Sequence, residues 1–160
     1  MRIPVKQQKT RKRRGAVAVE FAFIAPVLLS IVLGMIELTR AYDAQNLLQT
    51  AAREGARFAA MDRTDMLDEG VSANSKLIED VTNFLITSGI PADSIDVSVV
   101  DAEDPCTEFD LDDPENDLRL FEVRIEVPFS AVSYTPVSEA YDYALTASIT
   151  FRNGRATLSE

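Results

Sequence analysis

Nine carboxylates lie between positions 101 and 117, from Asp101 to Asp117, with no basic residue among them. Oxygen ligands at this density suit Ca²⁺, and Asp110, Asp112 and Asp113 form the tightest candidate set. The stretch lacks the glycine and the spacing of an EF-hand loop. Its two prolines and low hydrophobicity describe a solvated, mobile loop equally well. No metal is therefore assigned. Cys106 lies in the same stretch and is the only cysteine. It cannot form an intramolecular disulfide, so it is either a free thiol or a link between chains. The chain has no histidine, which excludes Cys/His zinc sites and Ser–His or Cys–His nucleophiles. Carboxylates, lysine or tyrosine would have to carry any catalysis, and nothing in their spacing arranges them for it. The expectation is a protein that is not an enzyme and takes no cofactor.

A second chemical feature is a lone carboxylate in an apolar run. Residues Ala16 to Ile36 read AVAVEFAFIAPVLLSIVLGMI, and Glu20 is the only charge. As a helix these positions span about 31 Å, and a bilayer hydrocarbon core is about 30 Å thick. A chain of 160 residues has little room to surround a helix that is apolar on every side. The run is therefore expected to cross a membrane. At the bilayer centre a carboxylate costs roughly 2.5–3.5 kcal/mol on insertion scales, and less near an interface. Glu20 is about one and a half turns from the start of the run, within reach of the headgroups.

Charge sets the expected orientation. Seven Lys and Arg residues precede the run, at Arg2, Lys6, Lys9, Arg11, Lys12, Arg13 and Arg14. Removing those seven from the 16 bases leaves nine against 26 acids, a balance of −17 for the rest of the chain. Positive charge stays on the cytoplasmic side, which places the N-terminus inside and the acidic body outside. An acidic body repels nucleic acid, so the basic arm does not read as a DNA-binding arm. A secretory signal would end in a small-residue cleavage site after the apolar run. Here the small residue, Gly15, comes before it.

The order of basic leader, Gly15, Ala16-Val17-Ala18-Val19-Glu20-Phe21 and apolar helix resembles a type IV prepilin. That resemblance implies cleavage between Gly15 and Ala16 by a prepilin peptidase, with Glu20 as the fifth residue of the mature chain. It also implies a register role for Glu20, flanked by Phe21. The new amine at Ala16 would meet Glu20 of a neighbour displaced by about five residues, or about 7.5 Å. Buried ion pairs are known to set register in this way.

The run continues into Ala51-Ala52-Arg53-Glu54-Gly55-Ala56-Arg57. Together with Ala18-Val19-Glu20-Phe21, Pro26, Gly34 and Glu37, this segment resembles the TadE-like family over about residues 14–61. Members of that family are pseudopilins of the tight-adherence (Tad, or Flp) pilus. The expected function is that of a minor pseudopilin supporting pilus assembly, surface adhesion and biofilm formation. The length argues against the major Flp pilin and against larger TadG-type relatives. The implied partners are the prepilin peptidase, other pseudopilins, the Flp pilin, the Tad secretion machinery and the bacterial inner membrane. The alternative is an uncut membrane-anchored module whose acidic domain captures a cation or a partner.

The elements that must position these features follow from periodicity. Leu38, Ala41, Leu48, Ala52, Gly55, Ala56 and Ala59 recur at helical spacing, which extends the helix outward over 37–61. Ala52, Gly55, Ala56 and Ala59 make a seam of small side chains, suited to close packing within the chain or between chains. Residues 62–69 read as a loop. Val71 to Gly89 reads as an amphipathic helix, with Gly89 as its stop. Residues 95–99, 121–127 and 143–151 alternate with period two and read as strands. The expected organisation is a leader at 1–15, a transmembrane helix at 16–36, its extension at 37–61 and an acidic extracytoplasmic domain at 62–160. The expected fold class is α+β: a long N-terminal helix, a second amphipathic helix and a small antiparallel sheet of about three strands.

Overall fold

Helix α1 runs from Arg11 to Ala60 in a computed structural model that describes residues 11–61, 70–134 and 143–154. The expected loop at 62–69 and most of the leader lie outside the described residues. The chain divides into two compact units, Met1–Leu38 and Thr39–Glu160. In the first unit the described part is the apolar half of α1. Its large side chains are exposed from Val17 through Ile36, with Phe23 reaching 77%. Pro26 lies inside the helix and removes one backbone donor from it. The Ser30 hydroxyl donates to the Val27 carbonyl at 2.8 Å, so this polar group is satisfied within the apolar run.

In the second unit the remainder of α1 carries a buried stripe of Ala44, Leu48, Ala51, Ala52, Ala56 and Ala59. Helix α2, Ala73–Thr87, packs on it through Leu77, Val81 and Leu85. The Ser72 side chain caps α2 by accepting from the Ser75 N–H at 3.2 Å. Two bonds close its other end, Gly89 N–H to the Ile86 carbonyl and Ile90 N–H to the Leu85 carbonyl. Gly89 has φ +96°, the left-handed turn that such a helix end requires.

Small side chains on α1 set how near α2 can come. A Cβ built on Gly55 would lie 2.7 Å from Val81 Cγ2. Gly55→Val should therefore push the helices apart and cost about 1–3 kcal/mol. The full chain in detergent should show a lower urea midpoint with an unchanged slope. An unaltered midpoint would mean that α2 is not held at this point.

The sheet has three antiparallel strands in the order β1 (Asp96–Asp101), β2 (Leu120–Pro128) and β3 (Ala144–Arg152). Register sets Val97 against Ile125, and Ile125 against Ala147, on one face. That face closes the core over both helices with Phe121, Val123, Val127 and Leu145. Alternation along β2 is complete, with Glu122, Arg124 and Glu126 on the wetter face. The α+β arrangement expected from the sequence is the one observed. β1 differs in detail, because Val99, Val100 and Asp101 are all buried. The cause is a segment of the acidic stretch that folds back along β1. Phe109 N–H donates to the Val99 carbonyl, and Asp101 N–H donates to the Thr107 carbonyl, both at 3.0 Å.

Candidate functional site

Gly15 to Phe21 forms part of α1, and Gly15, Ala16, Glu20 and Phe21 are all exposed. Ala16 and Glu20 are four residues apart and share a helix face. Every residue three or four positions from Glu20 is apolar: Ala16, Val17, Phe23 and Ile24. No described side chain on its own helix neutralises the carboxylate there. It makes no hydrogen bond or ion pair among the described residues. The geometry is a bare negative charge presented from an apolar rod.

The small-residue seam is placed differently. Ala52, Gly55, Ala56 and Ala59 are buried inside the second unit, and α2 and the sheet occupy the space beside them. What the Ala-Arg-Glu-Gly-Ala-Arg segment presents outward is charge. Arg53, Glu54 and Arg57 are exposed, with Glu54 and Arg57 paired at 3.4 Å along the helix.

In the acidic stretch the carboxylates are engaged locally. Asp104 accepts from the Cys106 N–H and the Thr107 hydroxyl, Asp110 from the Asp112 N–H, and Asp113 from the Glu115 N–H. Asp112 accepts from the Ala73 N–H at 2.7 Å, which puts its charge at the positive end of α2. Asp101 pairs with Arg119 at 2.5 Å. Among the described residues no group of three or more His, Cys, Asp or Glu is placed to hold a metal. Asp110 and Asp113 thus serve two separate local turns, while Asp112 serves the start of α2. The solvated-loop expectation is corrected for its middle, where Phe109 and Leu111 are fully buried. Cys106 is an exposed free thiol.

Three polar residues escaped sequence reasoning. Asn74 reaches the acidic stretch twice, accepting from the Leu111 N–H at 2.9 Å and donating to the Phe109 carbonyl at 2.7 Å. Asn153 is fully buried and donates from Nδ2 to the carbonyls of Leu111 and Asn116, each at 3.2 Å. Arg40 sits over the Tyr134 ring, 4.3 Å from its centroid. No local pattern marks any of them, since their partners are 35 to 94 positions away.

The described residues therefore define a class: one helix long and apolar enough to cross a membrane, and a small α+β domain that packs on the continuation of that helix. Against known families, residues 15–57 match the TadE-like protein family. The match opens at Gly15 and closes at Arg57, taking in the apolar run and the Ala-Arg-Glu-Gly-Ala-Arg segment. No curated protein and no solved structure matches the chain.

Proposed function

We propose that the chain is a minor pseudopilin of a Tad-type pilus, held in the bacterial inner membrane with its N-terminus in the cytoplasm. A prepilin peptidase cuts it after Gly15. The freed amine of Ala16 and the carboxylate of Glu20 then match it to neighbouring pilin-like subunits during assembly. The supporting observation is the coincidence at one position: the family match begins at Gly15, directly after the basic leader and directly before the apolar run. A glycine suits close approach by an enzyme because it has no Cβ, and open space surrounds Gly15. Glu20 supports the register role because it is charged, exposed and unmatched among the described residues.

Cleavage is tested by N-terminal sequencing of the chain purified from membranes of cells with an active prepilin peptidase. The expected first residue is Ala16. A chain that still begins at Met1 in those cells rules out the pseudopilin reading.

A further inference from the structure

Arg40 is the fourth residue beyond Ile36, at the start of the domain's part of α1. Arg57, Lys76, Arg119 and Arg124 each hold a carboxylate. Arg40, like Arg53 and Arg152, holds none among the described residues, and Arg40 alone of these has its Nε buried without a hydrogen-bond partner. Acids are not scarce, since the chain outside the leader carries 26 of them against nine bases. A guanidinium left unmatched in such a body is open to an anion from outside the chain, and its planar fork suits phosphate.

Beside Arg40 lies a cavity of about 270 Å³ with mostly apolar walls, including Ala44, Leu47, Ile90 and Val132. Ser88 and Asp43 add its polar edge. Asp43 is three residues farther from the apolar run than Arg40, about 4.5 Å along the helix. The aromatic residues at this end are also unusual in exposure. Tyr42, Tyr134 and Tyr143 are 64%, 70% and 51% exposed. Tyr134 lies under Arg40 and Tyr143 stacks on Phe129, with ring centroids 4.9 Å apart. Tyrosine, with an apolar ring and a polar tip, is enriched where a membrane meets water.

We propose that this end of the domain rests on the membrane surface. Arg40 binds a phospholipid phosphate, the cavity takes the apolar part beneath that headgroup, and the three tyrosines seat among the headgroups. Chain length alone keeps the site near the bilayer. Four residues keep Arg40 within at most about 14 Å of Ile36 in any conformation. The proposal rests on α1 spanning the membrane. While the subunit is anchored, this footing holds the domain's lower end against lipid, and extraction into a pilus must release it.

The chain has no tryptophan, so Tyr134→Trp introduces a single reporter and keeps an aromatic ring under Arg40. A control reporter is Leu120→Trp, on an exposed residue of β2 paired with Arg152. That edge lies toward Gly154, which abuts the Ala60 carbonyl at the far end of α1. Each full-length variant is reconstituted in vesicles of phosphatidylcholine and phosphatidylglycerol, with lipids brominated near the headgroup end of the acyl chain. The Tyr134→Trp reporter should emit to the blue of the control and be quenched about twofold more strongly. Adding Arg40→Gln should remove most of that difference. Equal quenching at both reporters, in a chain that resists carbonate extraction, overturns the footing alone. Release of the chain by carbonate overturns the anchor and the footing together. Quenching unaffected by Arg40→Gln overturns the assignment of the phosphate to Arg40.

Discussion

Replacing Glu20 with alanine should leave the chain in the membrane and take it out of pilus assembly. The apolar run loses its only charge, so insertion becomes easier rather than harder. The domain is untouched, because Glu20 lies in the first unit and makes no bond to any described residue. What the variant loses, on the proposal above, is the partner for the Ala16 amine of a neighbouring subunit. An uncompensated amine in an apolar setting is strongly unfavourable. Pili counted by electron microscopy should fall about tenfold or more, while membrane levels of the chain stay constant. Glu20→Gln separates charge from shape. It keeps the size and the hydrogen-bonding oxygen but cannot neutralise an amine, so it should fail nearly as badly. Wild-type piliation by either variant, with the chain stably present, would remove the register role and leave cleavage as a separate question.

Asn153→Ala should destabilise the domain well beyond an exposed polar change. Nδ2 of Asn153 ties the carbonyls of Leu111 and Asn116 to the residue that follows β3. Removing it takes a donor from both acceptors, of which the Asn116 carbonyl keeps the Arg119 N–H and the Leu111 carbonyl bears most of the cost, about 1–3 kcal/mol. A loss of about 1–3 kcal/mol is expected, corresponding to roughly 5–10 °C in melting temperature for a domain of this size. Circular dichroism of the full chain in detergent measures it. Glu103→Ala is the comparison, since Glu103 is exposed in the same stretch and its removal should lie within about 0.5 kcal/mol of wild type. If Asn153→Ala melts with wild type, the acidic stretch is not anchored from β3, and Leu111 is held by its packing and by Asn74.

The two helices and three strands were legible in the sequence because each is marked by a local period. Glu122, Arg124 and Glu126 alternate with Phe121, Val123, Ile125 and Val127, and a pleated strand must send such sets to opposite faces. Leu77, Val81 and Leu85 recur at helical spacing, and Gly89 ends that helix because it tolerates a left-handed turn. The acidic stretch has no such period. Its composition describes a solvated loop, yet Phe109 and Leu111 bury themselves and draw the intervening carboxylates into turns. Bonds to β1 and contacts with Asn74, Ala73 and Asn153, the last three each more than 30 positions away, fix that outcome.

Linear order alone establishes the apolar run of Ala16–Ile36, the charge asymmetry around it, and Gly15 and Glu20 at its head. These are properties of composition and spacing along one helix, which needs no partner to present them. It also determined that Ala52, Gly55, Ala56 and Ala59 share a face, since helical period alone requires it. It could not determine what that face meets. Small side chains permit close approach by any neighbour, and only the folded domain shows that α2 and the sheet fill the space. The same holds for Arg40 and Tyr134. They are 94 positions apart in the chain and 4.3 Å apart in the structure, and no local rule of spacing connects them.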